Sequence, residues 1–291
     1  SVVWLWLNGG PTHIETFDPK MTAPKEYRSV SGEVKTRLPG VTLGGHFTGM
    51  AEQADRMTFV RSFVVPSSSH NTGAFWVNTG YGPRNRPSLG SITSRVRGPN
   101  HPRTGMPTYV QMGNIGFNTD APIIPGSAWL GKAFGPFTPS GPSRENMNLT
   151  TQVSRLEDRR SLLKGLDKIQ RDVDAKGVMD GIDGMNHQAF SLILGKATQA
   201  FDMKREDPKV VDKYGGGLGQ SLLTARRLCE VGCGFVAISL QGWDMHGNVA
   251  GGMNGRGPQV DRAVSAFVSD IHQRGLDKNI LLVISGEFGR T

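Results

Sequence analysis

The chain has 291 residues, 37% of them hydrophobic and 20% charged, which excludes a wholly disordered or fibrous chain and suffices for one large α/β domain or two small ones. Lys+Arg 33 against Asp+Glu 25 leaves a net charge of +8, a balance that suits anionic ligands without choosing between nucleic acid, sulfated glycan and phosphate ester. The two cysteines, Cys229 and Cys233, rule out a disulfide framework and read as buried free thiols, since a metal site built on them would need further Cys or His close by.

In chain order, Ser1–Leu7 (SVVWLWL) is apolar, β-branched and aromatic and stops at Asn8-Gly9-Gly10-Pro11, which predicts a buried strand ending in a loop. The run is far shorter than the ~20 residues of a membrane span. The chain has no initiator Met and opens inside this strand, so an export signal is expected to precede it. Met57–Val65 (MTFVRSFVV) predicts a second strand and Thr108–Met112 a weaker third. Fifteen of the 17 prolines fall between Pro11 and Pro142, so the first half reads as strands joined by long loops, with 98–145 a loop-rich excursion.

Helical periodicity follows. Val153, Leu156, Leu163, Leu166, Ile169 and Val173 share a face, with Ser154 and Glu157 as a capping box; Ala189–Phe201 and Leu218–Val231 are further amphipathic helices. Phe235–Leu240 (FVAISL) predicts a buried strand. Pro258 is expected to open a helix closed by Gly275, and Ile280–Ile284 (ILLVI) is the last strand. The alternation is that of an α/β fold with a largely parallel sheet, whose ligand sites lie beyond the carboxyl ends of the strands.

Polar residues gather at three such ends. His13, Glu15 and Asp18 follow the first strand, Asp244 and His246 follow Leu240, and Glu287 and Arg290 follow Ile284. Carboxylate and imidazole groups among glycines form a ligand set for Zn²⁺, or for Mn²⁺ and Mg²⁺ where oxygen dominates. Each alone has a plainer reading: Asp244 and His246 bonded to each other, Glu287 paired with Arg290, His13 a loop hydrogen-bonder. A fourth cluster, Ser67-Ser68-Ser69-His70-Asn71-Thr72-Gly73, offers either a nucleophile and anion seat at a helix N-terminus or a serine-rich turn with a helix cap.

The runs GGPTHIETFDPK (9–20), AFDMKREDPKVVDKYG (200–215), GQSLLTARRLCEVGCGFVAI (219–238), GWDMHGN (242–248) and GEFGRT (286–291) closely resemble the bacterial family catalogued as domain of unknown function 1501. That resemblance implies an exported protein, periplasmic or at the cell surface, often carrying a twin-arginine signal. It also implies the fold of the alkaline phosphatase and sulfatase superfamily, a three-layer sandwich with helices on both faces of the sheet, here as a single domain over 1–291. On the superfamily's pattern Thr79-Gly80 places His70 at the nucleophile position with Ser69 beside it. Glu287 and Phe288 stand for the late-strand Asp and its following imidazole or amide, and Asp244 and His246 for an earlier metal pair. The Asp expected after the first strand is replaced by Asn8 or Gly9, with Asp18 the nearest substitute. The superfamily's last His ligand would lie beyond Thr291.

The expectation is therefore a metal-dependent hydrolase of phosphate or sulfate esters. A divalent ion (Zn, Mn or Ca) would be held by Asp244, His246 and Glu287, completed by Asp18 or His13. His70 or Ser69 would attack or deprotonate, and Arg84, Arg86 or Arg290 would clamp the anion. The alternative is a non-catalytic module of the same fold that binds anionic glycans or surface polymers. Nucleic acid is not an expected partner, because no helix carries a Lys/Arg stripe and there is no aromatic platform.

Overall fold

The computed structural model describes residues 1–82, 85–113, 126–139 and 196–289. Among them the secondary structure runs β1 (Val2–Leu7), β2 (Glu33–Lys35), β3 (Thr42–Gly44), α1 (Thr48–Glu52), α2 (His70–Thr79), α3 (Leu89–Arg97), β4 (Tyr109–Met112), α4 (Pro208–Tyr214), α5 (Leu218–Glu230), β5 (Phe235–Leu240), α6 (Val249–Gln273) and β6 (Leu281–Ser285). The chain is α/β, with a four-stranded parallel sheet ordered β4-β5-β1-β6 and a small antiparallel hairpin of β2 and β3.

Side chains of a strand alternate between the two faces of its sheet. Val3, Leu5 and Leu7 of β1 join Val236 and Ile238 of β5 in the larger core, together with Leu222, Leu223 and Leu228 of α5 and Val260, Val264 and Phe267 of α6. Trp4 and Trp6 point the other way and pack with Tyr109, Phe235, Ala237 and, from α2, Ala74. Gly90 of α3 lies so close to the Tyr109 ring that a Cβ there would stand 2.5 Å from Cε2. Helices thus cover both faces, which is why β1 reads as an unbroken apolar run rather than an alternating one. No described helix is long and apolar enough to cross a membrane.

Two local predictions are corrected. Residues 57–65 form no strand; Val60, Phe63 and Val64 are exposed and Arg61 donates to the Phe17 and Thr42 carbonyls. Both edges of β1 are already taken by β5 and β6, so the run's β propensity finds no ladder beside β1. The long helix also begins at Val249, not Pro258, which lies inside it. Its glycine-rich first half holds because Met253 and Gly257 are buried, a Cβ on Gly257 falling 2.5 Å from His46; tertiary packing overrides propensity here. The helix predicted over Val153–Val173 lies outside the described residues, and of Ala189–Phe201 the described part, Lys196–Phe201, is a 3₁₀ helix. The loop-rich stretch 98–145 contributes β4 to the sheet.

Both cysteines are buried and free. Burial pushes the Cys229 thiol up to about 12 and Cys233 well above its ordinary value, so neither is a reactive thiolate at neutral pH.

Candidate functional site

The register of the parallel sheet decides where the polar loops emerge. Trp6 stands opposite Ser285 and Leu7 opposite Leu240, so the chain leaves β1, β5 and β6 at one edge. Close backbone approach then locks the three loops together. A Cβ on Gly9 would stand 2.2 Å from the Asp244 nitrogen, and one on Gly286 would stand 2.3 Å from Pro11 Cδ. Gly9 has φ +119, in the region that favours glycine. Gly9→Ala is expected to cost about 2–3 kcal/mol, from strain and a forced shift of the loop after β5, read as a lowered denaturant midpoint; an unchanged midpoint would mean the three loops are not locked this way.

At this edge a chain of ionisable groups forms. Glu287, only 1% exposed, places Oε1 2.8 Å from the Gly9 N–H and 2.7 Å from His70 Nδ1. His70 Nε2 is 3.5 Å from Asp244 Oδ1, and the same oxygen is 2.9 Å from His246 Nε2. His70 opens α2, with Ser69 at its N-cap making no side-chain cap bond. Gly73, one turn on, lets α2 approach the β6 loop: a Cβ there would be 2.8 Å from the Glu287 carbonyl. Phe288 lies against the imidazole, the ring centroids 4.8 Å apart. Each ring nitrogen of His70 thus faces a carboxylate, Nδ1 toward Glu287 Oε1 and Nε2 toward Asp244 Oδ1.

The structure thus brings together His70, Asp244, His246 and Glu287. His13 borders them, its Nδ1 3.3 Å from where a Cβ of Gly289 would be, and its Nε2 is 3.2 Å from Lys20 Nζ. Asp18 is engaged elsewhere, 3.6 Å from Arg61 and 3.8 Å from Lys20. Glu15 also turns away: its buried carboxylate accepts from the Ser29 and Ser31 hydroxyls and the Val30 and Ser31 amides, and so holds a turn. Ser69 is exposed beside His70. Arg290 and Arg84 lie outside the described residues. The Gly9 amide and the bare Cα of Gly73 were not singled out from the sequence; the only signals were a glycine pair directly after a strand and a glycine in the first turn of a helix.

The chemistry of these donors fits a divalent cation in one specific respect. Glu287 Oε2 is buried and has no hydrogen-bond partner among the described residues, and an orphaned buried carboxylate oxygen is costly unless a cation or proton meets it. Imidazole and carboxylate lie in sequence around it, and Glu287 Oε1 orients the His70 ring through Nδ1. Among the described residues no three such groups already converge as an ion would require.

A family model, described as a protein of unknown function (DUF1501), matches residues 1–291. The chain belongs to the DUF1501 family. No curated protein and no solved structure matches it. Membership in DUF1501 says nothing of a reaction; the chemistry this chain offers is that of the Glu287–His70–Asp244–His246 array.

Proposed function

We propose that the chain is a metal-dependent hydrolase of phosphate or sulfate esters, built as a divergent member of the alkaline phosphatase and sulfatase superfamily with its three-layer sandwich. The observation that carries the reading is His70, held between Glu287 and Asp244 from two different strand ends at the N-terminus of a ten-residue helix. A divalent ion would be held by Glu287, Asp244 and His246; when bound, it polarises the ester oxygen and acidifies a water. Glu287 orients the His70 ring through Nδ1; Nε2, in its unprotonated form, would take a proton from the attacking water, and Glu287 and Asp244 would stabilise the imidazolium so formed. The helix dipole at the N-terminus of α2 would favour the oxyanion that develops there. The net charge of +8 suits such a substrate.

A second reading, a non-catalytic module for anionic glycans, is favoured by Phe288, an apolar ring against the imidazole at a position where the superfamily carries an imidazole or amide. Metal content and turnover separate the two. Purified protein is expected to retain Zn, Mn or Ca and to hydrolyse p-nitrophenyl phosphate or p-nitrophenyl sulfate; chelation should abolish turnover and re-addition restore it. Asp244→Ala should lower turnover by at least about 10²-fold. Bound metal without turnover, unchanged by Asp244→Ala, would end the hydrolase reading and leave the binding module.

A further inference from the structure

We propose that the outer face of α3, together with the exposed turn that carries Trp129, is a docking surface for an anionic lipid bilayer. The face shares no residue with the Glu287–His70–Asp244–His246 array and does not depend on the hydrolase reading. The helix is inverted relative to an ordinary surface helix. It buries its small residues Gly90, Ser91 and Ser94 and exposes Leu89, Ile92 and Val96. The cause lies at Gly90, where a Cβ would stand 2.5 Å from the Tyr109 ring: the sheet leaves room only for small side chains, so the large ones point outward. Those three are spaced i, i+3 and i+7 and form one stripe, with Val96 79% exposed. A contiguous apolar stripe left in water marks a surface that something else covers.

The segment 126–134 packs beside α3. The Ser88 amide donates to the Gly126 carbonyl at 3.1 Å, and the Arg95 guanidinium lies 5.4 Å from the centre of the Phe134 ring. Between these ties Ala128 holds φ +47, a left-handed conformation that a Cβ disfavours, and the next residue, Trp129, is 67% exposed. Arg95 and Arg97 flank the stripe on α3, and Lys132 follows Trp129; all three are exposed. From Arg56 to Thr119 the sequence has no Asp or Glu, and neither has 126–135. This combination selects the occupant. An indole and aliphatic side chains enter the headgroup region of a bilayer while arginine and lysine meet its anionic phosphates. A second copy of the chain, docked face to face, would set these cations against one another. A nucleic acid would leave the aliphatic stripe with nothing to bury against.

Co-sedimentation of the whole protein with vesicles of phosphatidylcholine, alone or mixed in equal parts with phosphatidylglycerol, tests this. Wild type is expected to bind the mixed vesicles and not the zwitterionic ones, to be released by high salt, and to show blue-shifted tryptophan emission when bound. Arg95→Gln combined with Arg97→Gln should weaken partitioning by about 10- to 30-fold, and Val96→Glu by at least about 10-fold. Trp129→Ala should weaken it and remove most of the emission shift, since Trp4, Trp6 and Trp243 are buried. All four positions are exposed, so thermal midpoints should stay near wild type. No binding of the mixed vesicles by wild type, equal binding of the zwitterionic ones, or binding that none of these variants weakens would overturn the proposal. A dimer that Val96→Glu dissolves, with no vesicle binding, would overturn it too and make the face a contact between copies of the chain.

Discussion

His70→Asn is expected to lower turnover of nitrophenyl phosphate or sulfate by about 10²- to 10⁴-fold with little change in stability. Asparagine can place an amide N–H where Nδ1 meets Glu287 Oε1 at 2.7 Å, so the buried carboxylate keeps a donor and the loop after β6 keeps its anchor. What disappears is Nε2, the atom that faces Asp244 at 3.5 Å. His70 is partly exposed at the first position of α2, where asparagine is tolerated. Loss of turnover in a folded variant therefore reports chemistry rather than collapse. Glu287→Gln provides the complement: it keeps the shape and removes the carboxylate that faces Nδ1. Turnover by His70→Asn close to wild type would remove His70 from the mechanism.

Arg226→Met is expected to destabilise the protein by about 3–5 kcal/mol, measured by denaturant unfolding. Arg226 is buried in α5 and meets Glu206 and Glu230 at 2.7 Å and Asp270 at 3.1 Å. Asp270 of α6 also accepts from the Tyr214 hydroxyl at the end of α4, so a single guanidinium ties α4, α5, α6 and the segment before α4. Methionine fills much of the volume but leaves buried carboxylates short of a partner. Arg274 and Arg227 remain on Glu206 and Asp270, which keeps the loss below that of a wholly stranded charge. Burial pushes the Glu206 carboxyl up, but hydrogen bonds from Arg227 and Arg226 and the charges of Arg226 and Arg274 outweigh it and hold it below its ordinary 4.5. Its contribution is therefore complete above about pH 4.5 and is lost as pH falls through the lower folded value; Arg226→Met should flatten that acid limb. A stability within 1 kcal/mol of wild type would show the cluster to be replaceable.

Much of the sheet was legible because physics writes it locally. β1, β5 and β6 are covered on at least one face by helices and read as continuous apolar runs with turn residues behind them. The run 57–65 carries a similar composition, yet strand propensity measures fit to a pleated, half-buried surface, and both edges of β1 are taken by β5 and β6. Pro258 looked like a helix start because a first-turn proline loses no hydrogen bond; burial of Met253 and Gly257 extended the helix backwards across residues of poor propensity.

The candidate site divides in the same way. His70, Asp244, His246 and Glu287 could be named from residue type and from their places after strands, since imidazoles and carboxylates among glycines carry their chemistry in the side chain. Asp18 has the same credentials, but Lys20, two residues on, and Arg61, from a distant segment, engage it instead. The Gly9 amide and the room at Gly73 belong to the backbone and to packing, which residue identity does not encode. Composition and periodicity by themselves determined an α/β chain with polar strand ends. Only the tertiary structure decided which of those ends meet, because parallel register sets the height at which each strand stops, and a shift of one residue would turn every side chain to the opposite face.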